Sequence, residues 1–108
     1  MPATTANDAD ILGMLLIDPS LIPYAEARIS QEDFGNHWYQ ETFDALATLS
    51  CTGQPIDLYA VWQQMHAPGW FMARLGEMVE RAPDPLHGHR IIDRWLDVVR
   101  ERGAIDGV

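Results

Sequence analysis

The chain has 108 residues, 47% of them hydrophobic and 21% charged, which fits one thin-cored domain and leaves little room for two. Its seven basic residues are all arginine; sixteen carboxylates oppose them and leave a formal net charge of −9. A polyanion such as DNA would be repelled by the average surface, so direct nucleic-acid binding is not expected unless the arginines cluster.

Residues 1–7, MPATTAN, are small and polar and are expected to fray, with the domain proper over residues 8–108. Asp8 can cap the helix that follows, ADILGMLLI, in which Ile11, Leu12, Leu15 and Leu16 form a broad apolar face. That helix is apolar almost all round, which places it at the centre of the core or in an interface. Gly13 costs helix propensity, about 1 kcal/mol against alanine, and a close helix crossing would explain it. Asp18-Pro19 ends this helix and caps a second one with Leu21, Ile22, Ala25 and Ile29 inward. Ser30 and Asp33 form a capping pattern for the turn SQEDF, from which Phe34 anchors inward.

Asn36 opens a third helix with Tyr39, Phe43, Leu46 and Leu49 or Ser50 at helical spacing. Gly53 ends it in a left-handed conformation, Pro55 stiffens the link, and Asp57 caps LYAVWQQM, where Leu58, Val61, Trp62 and Met65 share a face. HAPG at 66–69 is a break. A fifth helix follows with Phe71 or Met72, Leu75 and Val79 inside, and PDP at 83–85 stops it. Residues 86–102 make the last helix, striped by Ile91 or Ile92, Trp95, Val98 and Val99. No strand alternation, internal repeat or low-complexity tract is visible, and the fold class is all-α, a compact bundle of about six short helices.

Little in the chain points to catalysis. A P-loop needs a lysine and a glycine run, and neither is present. His87 and His89 could supply two zinc ligands, but solvated histidines at a helix start are the commoner use of that pattern. His37 and His66 are isolated. The pairs Glu32-Asp33 and Glu77-Glu80 fall where caps and solvated faces put carboxylates, and no serine has a nucleophile-elbow context. The late arginines Arg90, Arg94, Arg100 and Arg102 read as a solvated helix face. Trp38, Trp62 and Trp95 fit core stripes, whereas Trp70 follows a Pro-Gly break and is a candidate for exposure at a partner contact. Cys51 is the one cysteine, consistent with a reducing compartment, and its place in a helical pattern predicts a packed or half-packed side chain. Without a basic start and apolar run, and with no apolar stretch near the roughly 20 residues of a membrane span, the reading is cytoplasmic.

The order of these pieces resembles one family. Leu12-Gly13 with Leu16 and Asp18, then Glu32-Asp33-Phe34, then His37 with Phe43, then Gly53, Pro55, Ile56, Asp57 and Leu58 are similar to the N-terminal domain of DnaB-type replicative DNA helicases, over about residues 8–102. The resemblance implies a helical bundle that pairs with itself in a collar above the helicase ring, contacts primase and in some systems loader proteins, and holds no ATPase site. No ATPase-domain counterpart and little of the family's following helical hairpin lie within the 108 residues. The loop HAPGW is shorter than the family's, PDPLHGH is longer, and Ala6 or Asn7 stands where an acidic residue is common; no primase-contact residue is therefore carried over.

The expected function is a non-catalytic interaction domain in DNA replication, a homodimer that meets primase or the replicative helicase, with no cofactor and no membrane. One alternative is a stand-alone regulator or decoy acting on helicase or primase; a remote one is a small metal-dependent enzyme using His87 and His89. The residues expected to carry the fold are Leu12, Leu16, Phe34, Phe43, Leu46 and Leu58 in the core, with Pro55 and Asp57 at the joint. No pairing face is assigned.

Overall fold

A computed structural model describes the backbone of residues 6–106 and the side chains of residues 6–102. Among these residues there are six α-helices and no strand: α1 Asp8–Ile17, α2 Ile22–Arg28, α3 His37–Cys51, α4 Leu58–Met65, α5 Trp70–Arg81 and α6 Gly88–Asp106. Short 3-10 turns at Pro19–Leu21, Gln31–Asp33 and Pro85–His87 lead into or between them. No helix among the described residues is long and apolar enough to cross a membrane.

The cap of α1 falls one residue earlier than expected. Asn7 Oδ1 accepts from the Asp10 N–H at 2.9 Å, and Asp10 Oδ2 accepts from the Asn7 N–H at 3.1 Å. This reciprocal box needs a carboxylate at the third helical position, which only a start at Asn7 provides. Of the stretch expected to fray, residues 1–5 lie outside the described residues. Asp8 is thereby released for long-range work: Oδ2 accepts from the Gly35 N–H at 3.0 Å and Oδ1 from the Trp95 indole N–H at 3.1 Å.

Helix α1 is the core of the bundle. Ile11, Leu12, Met14 and Leu15 are completely buried, and α1 packs on α5, α3 and α6. From Ile11 to Leu16 its apolar character is satisfied within the chain, and only Ile17 at its end stays exposed. Gly13 lies where α1 crosses α5: a Cβ there would collide with the main-chain carbonyl of Met78. The glycine trades helix propensity for close backbone approach.

Phe34 stands at the other centre of the core, fully buried, its ring 5.3 Å from Phe43 and 4.9 Å from Trp95. Leu12, Leu16 and Leu46 are buried beside this cluster, and Leu58 packs against it half-buried. On α3 the buried stripe is Thr42, Phe43, Ala45, Leu46 and Leu49. Thr42, a polar residue that the apolar pattern skips, is fully buried and donates its hydroxyl proton to the Trp38 carbonyl at 2.7 Å.

The joint between α3 and α4 is built as the sequence reads. Gly53 takes φ +72°, its N–H bonds to Ser50 O at 3.2 Å, and the Gln54 N–H bonds to Leu49 O at 3.0 Å. These two bonds make a Schellman stop. Asp57 then accepts from the Ala60 N–H at 2.8 Å and starts α4. Pro55 is exposed between them.

Four side chains turn differently from the pattern: Val79, Val98, Val99 and Cys51. On α5 the third buried residue is Met78, and Val79 is half-buried, because the crossing at Gly13 draws the Met78 turn against α1. On α6 Ile92, Trp95 and Leu96 are buried while Val98 and Val99 are only half-buried. Cys51 is exposed rather than packed, since it closes α3 on the side away from Phe43 and Leu46.

Candidate functional site

The groups that could do chemistry are dispersed. His37 is solvent-facing, 3.7 Å from Glu41. His66 ends α4 in a left-handed conformation. His87 and His89 sit at the start of α6, exposed, and His89 is occupied as a stacking partner with its ring 4.0 Å from that of Tyr24. No group of three or more His, Cys, Asp or Glu among the described residues could hold a metal. Of the paired carboxylates, Asp33 accepts from the Ser30 N–H at 2.8 Å and from Arg100 at 3.2 Å, while Glu32, Glu77 and Glu80 face solvent.

What the fold does assemble is a latch and a set of surfaces. The latch joins α2 to α6. The Tyr24 hydroxyl donates to the Asp93 carboxylate, whose oxygens lie 2.8 and 2.9 Å away. The Arg28 guanidinium lies over the Tyr24 ring at 4.4 Å, and its Nε is 3.8 Å from Asp93. The hydrogen bond to Asp93, which is lost if the phenol ionises, holds the Tyr24 hydroxyl above its ordinary value of 10.0. Arg100 adds a second tie by donating to the Arg28 carbonyl at 2.6 Å and to Asp33.

The first surface is aromatic and follows the corner from α4 to α5. Trp70 and Tyr59 are each 56% exposed, too much for core residues. Trp70 meets half-buried Trp38 edge-on at 5.2 Å, and Trp38 in turn stacks on buried Phe71 at 5.1 Å. Tyr59 lies 5.7 Å from Trp62, whose indole N–H donates to the Pro68 carbonyl at 3.0 Å and fixes the link. Trp70 is thus an exposed aromatic held on a rigid base, the arrangement that makes strong protein contacts. A shallow groove of about 630 Å³ runs between α3 and α4 and is lined by Thr48, Pro55, Asp57, Tyr59 and Gln63. Leu12, Leu16, Phe34, Phe43 and Leu46 lie beneath these surfaces, not on them.

The described residues thus form a bundle around a buried central helix, with Trp70 and Tyr59 exposed at one corner. The family model "DnaB-like helicase N terminal domain" matches residues 1–101. The chain belongs to this family. Among DnaB relatives, the "Replicative DNA helicase DnaB" of Buchnera aphidicola subsp. Baizongia pistaciae (strain Bp) is 27% identical over 110 aligned positions, which cover 97% of this chain and 23% of that protein. The chain therefore spans less than a quarter of that relative's length. Its fold matches the crystal structure of the N-terminal domain of DnaB helicase from Mycobacterium tuberculosis with a TM-score of 0.80 at 18% identity, over 92% of this chain and 75% of that one. The DnaB N-terminal architecture accounts for the order of the elements from α1 to α6.

Proposed function

We propose that this chain is a non-catalytic protein–protein interaction domain of the replicative-helicase type, acting in DNA replication in the cytoplasm by pairing with itself and contacting primase or helicase. The observation that carries this reading is the family match over residues 1–101. The rigid exposed pair Trp70 and Tyr59 supports it, because aromatics on a fixed base supply contact area at low entropic cost. In this reading Leu12, Leu16, Phe34, Phe43, Leu46 and Leu58, with Pro55 and Asp57 at the joint, hold the scaffold and do not touch the partner.

The test is multi-angle light scattering on the purified chain, alone and then mixed with primase and helicase from the same source. A dimer that gains mass with either protein is the expected result. A strict monomer that binds neither overturns the reading while leaving the fold unaffected.

A further inference from the structure

Four of the seven arginines gather at one place on this acidic molecule. Arg81, Arg90 and Arg94 line a hollow of about 290 Å³ floored by Pro83 and Ile91, and an adjoining hollow of about 160 Å³ shares Arg81 and adds Arg74. Among the described residues, the only carboxylates that line either hollow are those of Asp10 and Glu77. The other side chains explain why the cluster stands out. Arg28 and Arg100 are engaged with Asp93 and Asp33, whereas none of the four clustered arginines is within 4.0 Å of a carboxylate among the described residues. All four are exposed, two from α5 and two from α6, so two separate helices converge on one cationic face.

We infer that this face is a docking site for a short acidic peptide segment of a partner protein, one that carries an apolar side chain among its carboxylates. Four considerations select that occupant. Guanidinium groups pair bidentately with carboxylates, and several of them around one hollow can hold successive acidic side chains. The Ile91 and Pro83 floor would be wasted on an inorganic anion but fits an aliphatic or aromatic side chain. A long polyanion feels the whole charge of −9, whereas a short peptide feels mainly the charges within a Debye length of roughly 8–10 Å. A hollow of about 290 Å³ takes one or two side chains, not a nucleic-acid backbone. This deepens the interaction-domain reading by naming the chemistry of one partner segment, and it stands or falls on a different measurement from the mass of a complex.

The experiment is fluorescence anisotropy of the full chain with a labelled acidic octapeptide bearing one phenylalanine, beside the same peptide with serine for phenylalanine and a labelled single-stranded oligothymidylate. The phenylalanine peptide should bind saturably. Its affinity should fall at least about tenfold in the Arg90→Gln/Arg94→Gln variant, and also fall on raising the salt or removing the phenylalanine. Both positions are exposed, and an unchanged thermal melt identifies a folded variant. The charge-reversed Arg90→Glu/Arg94→Glu variant should instead prefer a lysine peptide of the same design. No saturable binding, equal binding to the Gln variant, or oligothymidylate binding as tightly as the peptide would each overturn the inference.

Discussion

At Gly13 two helix backbones come so close that no side chain fits between them. Gly13→Ala should gain about 1 kcal/mol of helix propensity but lose more to the clash, because a backbone carbonyl cannot swing aside as a side-chain tip can. The expected net loss is about 1–3 kcal/mol, read from urea denaturation. An unchanged or raised midpoint would show that α1 and α5 do not cross there. Tyr24 gives a pH-dependent counterpart. Its folded value is raised above 10.0 because the protonated hydroxyl donates to Asp93, so the contact contributes fully below that pH and is lost as pH rises through the folded value. The Tm difference between the wild type and Tyr24→Phe should be constant from neutral pH to about 9 and shrink above about 10. A difference that does not change across that range would exclude the latch. The sequence shows Gly13 as an anomaly with its cause implied, because a glycine in an apolar helix has few other uses. It does not show Tyr24, whose partner Asp93 lies 69 residues away.

The helices themselves are largely legible because their starts and stops are local events. Asp57, Asn36 and Gly53 act within three or four residues of themselves at the starts and stop expected of them, whereas Asp18 caps the 3-10 turn Pro19–Leu21 and α2 begins after it at Ile22 without a side-chain cap. Asp57→Ala should cost about 1 kcal/mol in a thermal melt through loss of the bond to the Ala60 N–H. No shift would mean that α4 is held by packing alone. Where two adjacent residues can both cap, the reciprocal partner decides: Asn7 has Asp10 three residues on, whereas Asp8 would have Ile11, so Asn7 takes the cap. Which face a helix buries is harder to read when a 3.6-residue period leaves two neighbours equivalent: Met78 and Val79 are separated by a helix crossing, not by anything in α5. The released Asp8 joins elements far apart in sequence, tying α1 to the start of α3 and to α6. Asp8→Ala should cost about 1–3 kcal/mol, because it strands the part-buried indole N–H of Trp95. A double-mutant cycle with Trp95→Phe would expose the shared bond; additive losses would deny it.

For the molecule as a whole, scaffold and surface separate cleanly. Leu12, Leu16, Phe34, Phe43 and Leu46 are buried, Leu58 is half-buried, and the aromatics Trp70 and Tyr59 are exposed. Trp70→Ala should leave the melting curve within about 0.5 kcal/mol of wild type, yet weaken self-association or partner binding by about 2 kcal/mol or more in sedimentation experiments. Unaltered association would move the contact elsewhere on the surface. Sequence reading reached the exposed Trp70 from the Pro-Gly break before it. The arginine face is not legible in the same way: Arg90 and Arg94 show as helix-surface residues, but Arg74 and Arg81 come near them only because α5 and α6 both pack on α1.

The burial of α1 has a consequence for how the chain is made. Within this domain α1 precedes the helices that pack around it, and Phe71, Leu75, Met78, Ile92 and Trp95 emerge some 55–85 residues after it. At about 5–20 residues per second, Ile11, Leu12, Met14 and Leu15 wait roughly 3–17 seconds for those late helices to arrive. During that interval the future centre of the protein is its stickiest exposed segment. A nascent chain halted before Trp70 offers an apolar helix to any holding chaperone, and the completed domain withdraws it.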